Sequence, residues 1–572
     1  MALPKLIPAN QQVQVQDTTF SIDALGRFIC STWQEATGNG GPPFDAVVVG
    51  AGMYGAYCAT KVYRAHPGKR ILLLDAGRFL VSEHVQNLGR IGLDVPDPIP
   101  PASDPGVARD LVWGLPWRGN VDFPGLAYCP GGKSLYWGGW CPRLTPGDLA
   151  RWPASTAQYL ADNYIFVESE TGVVPDADFI TGDLNAALYD AFVAAAAGTP
   201  DIEVGIGDSG VQVAPLAVQG DSPVSGLFSL DKYSGLPLLV DAIREDVGAS
   251  GVSDADRRLF LVPAAHVVKA HAAGGVVHTV EVDVAGQREF LAVPPGCAVI
   301  FAASAIESTR LALHSFPSPL MGRNLMAHVR TDLTVRIHRS ALPPVPGHVQ
   351  TAALLVRGAV PSGRFHLQVT ASTSLAGSDE LLFRMIPDLD LLEDTLANTD
   401  PDWVTITLRG IGEMQGDRLS PVPNPTTSWI DLSPFESDEF GVPRAYTQLA
   451  LAPGDAQTWQ AMDQAALFLA QTVAGSAAKI QYLYDGGWQL QPFPLSRPFP
   501  DWHRGLGTTY HEAGTLWMGD SSATSVTDPS GRFHHIQNAY VCDQALFPTA
   551  GSVNPVLTGL TLAKRVAEQL PA

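Results

Sequence analysis

No two of the six cysteines stand at CxxC spacing; Cys30, Cys58, Cys129, Cys141, Cys297 and Cys542 are scattered along 572 residues. Such usage fits a reducing compartment and argues against a disulfide framework or a thiolate metal cluster. Charge is scarce too, at 16% of residues, and positive charge scarcer, leaving a net charge of −21. A nucleic-acid backbone or an anionic membrane surface would be repelled, whereas a neutral or cationic small molecule would not. No apolar run approaches the ~20 residues of a membrane-spanning helix. The opening "MALPKLIPANQQVQVQDTTF" has no apolar stretch long enough for a secretory signal. Internal repeats and low-complexity tracts are missing. The chain reads as soluble and cytoplasmic.

Apolar residues are plentiful at 46%, and the chain is too long for one core, so two or more domains are expected. Residues 1–43 form a polar arm ending in "GNGGPP". The segment "FDAVVVGAGMYGAYCATKVYRAHPGKRILLLDAG", 44–77, then reads as a βαβ unit. "AVVVG" and "RILLLD" are continuous apolar runs, as in strands buried on both faces of a parallel sheet. Between them Gly50, Gly52 and Gly55 stand at GxGxxG spacing. Gly50 permits the tight turn, Gly52 lets a pyrophosphate approach the backbone, and Gly55 lets helix and strand pack closely. Residues 55–66 then carry a helical pattern, and that helix turns its amide end toward the phosphates. Asp75, at the tip of the second strand, is placed to accept from an adenosine ribose. Glycines after a strand can mark only a turn; strand, helix, strand and terminal acid together indicate a dinucleotide site.

Further on, 83–124 looks like an excursion over the surface, and "PGGKSLYWGGWCP", 130–142, is a second glycine-dense loop. "VIFAASAIESTRLAL", 299–313, reads as strand into helix. Strand-like runs follow at 331–339, 364–370, 404–409 and 445–452, a helical stretch at 456–475, and a buried strand at 539–543. Near the C-terminus, Asn554 is a good N-cap and Pro555 suits the first helical position. His511-Glu512 in "YHEAGTLWMG" looks like the start of a zinc motif, but Thr515 stands where a second histidine is needed, beside a helix-weakening Gly514.

Taken together, the glycine motif, "AASAIESTRLAL", "MGRNLMAHV", "HEAGTLWMG" and "VCDQALFPTAGSVNPVLTGLTLAKR" resemble, in order, the glucose–methanol–choline (GMC) flavoprotein oxidoreductases. "FHLQ" at 365–368, "IGEM" at 411–414 and Asn554 in the last motif resemble the pyranose oxidase and bacterial glycoside oxidase branch. The resemblance implies an α/β, GMC-like two-domain fold: a Rossmann-type FAD-binding domain with an interleaved substrate domain on a mostly antiparallel sheet. The expected FAD-binding parts are 44–150, 215–330 and 505–572; the substrate-binding parts are 151–214 and 331–504. FAD contacts are implied for Gly50, Gly52, Met53, Tyr54, Gly55, Asp75, Gly132, Ser134, Val267, Ala302, Asp543, Asn554 and Pro555.

The resemblance makes His511 the base that takes the substrate hydroxyl proton and Asn554 its partner, both touching substrate. Imidazole, with a pKa near ~6.5, suits that task, while hydride transfer belongs to the flavin. The helix after Pro555 would stabilise negative charge on the reduced ring. Asn554 cannot cap that helix and bind substrate through the same oxygen. Gln368 is a substrate candidate or a plain cross-strand amide. His503 is read as structural or supporting, and His328 aligns with a structural family histidine. Trp113, Trp117, Trp137, Trp140 and Trp152 either stack on a sugar or pack cores. Two departures stand out. Tyr136 occupies the place of the histidine that carries covalent FAD in fungal pyranose oxidases, so FAD is expected to be non-covalent. Gly138 replaces a threonine close to the flavin, leaving oxidase and dehydrogenase both open, with O2 or a quinone-type acceptor. The loop at 371–385 is longer than the family's substrate loop and leaves room for a glycoside. The expected reaction is oxidation of a secondary alcohol on a sugar or glycoside. An aryl or aliphatic alcohol oxidase, or a lyase or photoenzyme on the same fold, is the alternative.

Overall fold

Two four-residue apolar runs, Ala46–Val49 (β1) and Ile71–Leu74 (β2), are buried on both faces and pair in parallel, with Val47 beside Leu72 and Val49 beside Leu74. Each large side chain so buried contributes roughly 1.5–3 kcal/mol. The computed structural model describes residues 29–82, 84, 113–114, 117–121, 123, 125–173, 180, 182–203, 210–219, 231–250, 253–345, 350–373, 394, 396–494 and 502–571. The expected N-terminal arm up to residue 28 and residues 374–385 of the long loop lie outside these.

Around β1 and β2 the sheet is completed by Leu259–Val262 (β4), Ala298–Phe301 (β5) and Ala539–Val541 (β12), while Val211–Val213 (β3) belongs to a second sheet. The order is β12-β5-β1-β2-β4, all parallel. Helix α1, Met53–Ala65, connects β1 to β2. Helix α2 spans Ala154–Thr171 and helix α3, Ala305–Ser315, follows β5.

The second sheet is antiparallel and joins β3 to His328–His338 (β6), Thr351–Val360 (β7), Gly363–Ser372 (β8), Trp403–Glu413 (β9), Ile480–Tyr484 (β10) and Gly487–Gln489 (β11). Its order is β11-β10-β6-β9-β8-β7-β3. Alternation along these strands explains how the sheet is used. Odd residues of β6 and β8, such as Val329, Leu333, Val335, Phe365, Leu367 and Val369, lie in the core that includes helix α4, Pro453–Ala474. Thr331 shows the direction: its hydroxyl meets Trp459 Nε1 at 2.7 Å and Asp463 Oδ1 at 2.6 Å, both on α4. Gly410 on β9 makes close approach possible, since a Cβ there would stand 2.8 Å from Met462 of the same helix. The even residues of β6 and β8, with Arg409 of β9 between them in register, form a polar opposite face: His328, Arg330, Asp332; His366, Gln368, Thr370.

Strand β6 begins at His328, so the expected domain join after residue 330 falls inside a strand. Within the expected surface excursion, Trp117 and Phe123 are fully buried in the second core. Their apolar bulk outweighs the turn-rich composition around them. The last helix, α5, spans Val556–Glu568 with Pro555 as its N-cap and no side-chain cap. The expected Asn554 cap is thus displaced by one residue, because the Asn554 amide is engaged elsewhere.

Candidate active site

Two glycine turns dock on each other. Gly50 has φ 98°, and a Cβ there would lie 2.7 Å from the Ala302 carbonyl oxygen. Gly55 packs against the Gly50 carbonyl, leaving no space for a side chain. Gly52, the N-cap of α1, differs: a Cβ there would meet nothing within 4 Å. The second turn lies alongside, with Gly131 N–H donating to Ala51 O at 2.7 Å and Gly132 close to Gly52 Cα. Ser134 braces this turn, donating to Gly131 O at 2.6 Å and accepting from Gly235 N–H at 3.0 Å.

Asp75 is buried, and its two carboxylate oxygens accept from Ala51 N–H and Gly77 N–H, each at 2.9 Å. It anchors the first glycine turn, and burial raises its pKa to about 6. Its carbonyl accepts from Ala265 N–H at 2.8 Å, which starts the strand Ala265–Ala273 carrying Val267. Asp543 is likewise buried, accepting from Ser308 Oγ at 2.6 Å and Ala545 N–H at 2.9 Å, and its pKa also rises to about 6. Tyr54, in the first turn of α1, meets α5 at Gly559, where a Cβ would lie 2.7 Å from the ring carbon Cζ.

The fold brings His511 and Asn554 together. His511 Nε2 and Asn554 Nδ2 are 3.1 Å apart, immediately before α5. Tyr510 precedes the histidine at φ 59°, a left-handed conformation that costs on the order of 1–3 kcal/mol for a non-glycine residue. Burial holds the His511 pKa well below the ordinary range, and His328, His366, Arg330 and Arg409 act in the same direction. The Asn554 oxygen accepts from Gln368 Nε2 at 2.9 Å, and Gln368 Nε2 also meets His366 Nε2 at 3.1 Å. His366 Nδ1 donates to the Ser552 carbonyl. His328 Nδ1 lies 2.9 Å from His511 Nδ1, and its Nε2 donates to Gly551 O at 2.9 Å. Burial lowers His328 to about 4 and His366 to about 3. The 549–552 loop is itself pinned: Trp152 Nε1 donates to Thr549 Oγ1 at 2.8 Å, and Asp148 accepts from Ser552 N–H at 3.1 Å.

His328 therefore stands in direct contact with His511 and is not a remote structural group. The signal for it is the polar alternation of "HVRTDLTVRIH", which starts at 328 and not at 331. Lys133 and Glu512 also escape a motif search. Lys133 Nζ, from the second glycine turn, reaches Glu512 Oε1 at 2.9 Å and so ties that turn to the residue after His511. Glu512 is fully buried, and its Oε2 has no hydrogen-bond partner among the described residues. His503 sits away from this group, paired with Asp463 at 2.5 Å and stacked on Trp459. Trp117, Trp140 and Trp152 pack in cores, Trp137 Nε1 donates to Tyr233 O at 2.6 Å, and the Trp113 side chain lies outside the described residues.

Comparison with known proteins now bears on this geometry. The GMC oxidoreductase family model matches residues 425–563, which include both His511 and Asn554. Superposition on pyridoxine 4-oxidase from "Mesorbium loti" gives a TM-score of 0.54 at 17% identity, covering 92% of this chain and 99% of the other. An Aspergillus oryzae formate oxidase variant gives 0.57 at 15%, covering 93% and 98%. Residues 425–563 thus match the GMC oxidoreductase family model, and the chain as a whole shares the fold of these two oxidases. Sequence likeness to curated relatives is local. Paromamine 6'-oxidase of Streptomyces fradiae is 45% identical over 64 residues, 10% of this chain and 12% of that protein. An uncharacterised GMC-type oxidoreductase of Sinorhizobium fredii is 30% identical over 135 residues, 22% and 26% of the two. The chain thus spans well under a third of the length of either relative.

GMC proteins are FAD flavoproteins, and the residues present fit that group. Gly52 is open where a pyrophosphate needs close approach to backbone. Glu512 Oε2 is a buried acceptor awaiting a donor, and a buried acceptor is rarely left unpaired.

Proposed function

We propose that this protein is a GMC oxidoreductase that oxidises a secondary alcohol on a sugar or glycoside, using non-covalent FAD and passing electrons to O2 or a quinone-type acceptor. The observation that carries the reading is the 3.1 Å approach of His511 Nε2 to Asn554 Nδ2 at the head of α5. A substrate hydroxyl entering there donates its proton to His511 Nε2 and accepts a hydrogen bond from Asn554 Nδ2. His511 is kept neutral by burial, so it is available as a base at neutral pH. FAD, when bound, supplies the hydride acceptor. Gly50, Gly52, Met53, Tyr54 and Gly55 with Gly132 and Ser134 would hold it, with Asp75, Val267, Ala302, Asp543 and Pro555 completing the site. The segments 44–150, 215–330 and 505–572 would form that domain, and 151–214 with 331–504 the substrate domain.

A polyhydroxylated substrate is favoured by the polar sheet face. Both Gln368 Nε2 hydrogens are engaged by His366 and Asn554, so Oε1 is left to meet a substrate hydroxyl. Thr370 and Arg409 extend that face beside it. Non-covalent attachment is supported by the 130–142 loop, which has Tyr136 and no histidine. His84, which touches that loop, has its Nε2 on the Trp137 carbonyl at 2.9 Å. Among the described residues no helix is long and apolar enough to cross a membrane.

The purified protein should show flavin absorbance that acid precipitation releases, and the flavin should bleach anaerobically with a sugar or glycoside. Readmitted oxygen, or an added quinone, then identifies the acceptor. Bleaching by aryl or aliphatic alcohols alone contradicts the sugar reading. A flavin that no alcohol bleaches contradicts the oxidoreductase reading, as a lyase or photoenzyme would.

A further inference from the structure

The proton positions around His511 can be counted inward from two backbone carbonyls. A carbonyl oxygen only accepts, so the 2.9 Å contact with Gly551 O puts a hydrogen on His328 Nε2. His328 is 2% exposed and neutral near pH 7, burial having lowered its pKa to about 4. Its Nδ1 is then a lone pair. Two ring nitrogens 2.9 Å apart need one hydrogen between them, and His511 Nδ1 must carry it. The His511 lone pair is left on Nε2, facing Asn554.

The other end gives the same answer. Ser552 O fixes the hydrogen of His366 on Nδ1, which makes His366 Nε2 an acceptor for the Gln368 amide. Gln368 then donates its second hydrogen to Asn554 Oδ1, and Asn554 must present Nδ2 to His511. A flipped carboxamide would place two amide nitrogens, both donors, against each other at Gln368. Gly551 and Ser552 are adjacent, and Asp148 and Trp152 hold their loop from behind. Both ends of the network therefore rest on one rigid piece of backbone.

We propose that His328 is a positioning residue that sets the tautomer of His511, holding the proton on Nδ1 and leaving Nε2 as the basic atom at the reaction site. This rests on the reading of His511 as the base, but tautomer and catalysis are measured separately. The tautomer is read in the holoenzyme by long-range 1H–15N correlation on 15N-histidine-labelled protein near pH 7, with His511→Ala supplying the assignment. His511 is expected to show a protonated Nδ1 and an unprotonated Nε2. In His328→Leu that preference is lost, and the rate of flavin reduction at saturating substrate falls on the order of 100-fold with KM little changed. His328→Asn, whose Oδ1 can accept in place of the ring Nδ1, should restore the tautomer and most of the rate. A wild-type His511 protonated on Nε2 overturns the proposal, even if every variant fails to fold. So does His328→Leu with tautomer and rate unchanged. The expected tautomer combined with an unimpaired His511→Ala enzyme would sink the base reading and leave the assignment standing.

Discussion

His511 is a base whose low basicity follows from its surroundings. Desolvation disfavours the imidazolium, and two neighbouring imidazoles and two arginines disfavour it further. A lowered pKa keeps the ring neutral, hence able to accept a proton, as pH falls through the usual imidazole range near ~6.5. The second-order rate of flavin reduction should therefore stay level as pH falls through that ordinary range near ~6.5. A limb centred near ~6.5 would show that His511 titrates as an exposed histidine. Asn554 illustrates what residue-level reading can and cannot reach. Its sequence surroundings announce a helix cap, but the side chain has one oxygen, which the Gln368 amide occupies. Only the fold reveals that competition, because Gln368 lies 186 residues away.

At the level of elements, α5 is the piece that places Asn554, and its position is set by contact with α1. Gly559 sits over Tyr54 with no room for a β-carbon. Gly559→Val should push the helices apart at a cost of roughly 1–3 kcal/mol, lowering the melting temperature and weakening FAD retention on gel filtration. Full FAD occupancy with an unchanged melting temperature would show that the contact does not position α5. The βαβ unit at 44–77 was legible because its strands are short, wholly apolar and separated by glycines at meaningful spacing. The strand-to-helix segment at 298–315 was legible for the same reason. The polar sheet face was only half legible. Fully buried strands usually read as continuous apolar runs, and β6 hides a buried row of charged residues, in which Asp332 pairs with Arg330 on its own strand and with Arg409 on β9. The 83–124 segment misled because loop-like composition said nothing of where Trp117 is buried.

For the whole molecule, the buried titratable groups set how stability varies with pH. His328, His366 and His84 have folded pKa values of about 4, 3 and 3, below the ordinary histidine value. The unfolded chain binds more protons at these sites, so their contribution is present above ~6.5 and is lost as pH falls toward about 4. Asp75 and Asp543, raised to about 6, act oppositely: the folded state binds more protons, and stability declines as pH rises from about 4 to about 6. The histidines are displaced further than these two carboxylates, so they prevail. Denaturant midpoints should rise between about pH 4 and pH 6.5; a midpoint that falls across this range would mean that these histidines are accessible to water.

The claim on which the account depends is that His511 removes the hydroxyl proton while Asn554 holds the alcohol. Anaerobic stopped-flow reduction of the FAD-loaded His511→Ala enzyme by a substrate of the wild type tests it most directly. The account predicts that bound FAD remains and that its reduction slows by about 10²–10⁴-fold. Reduction at the wild-type rate with FAD fully bound would contradict it.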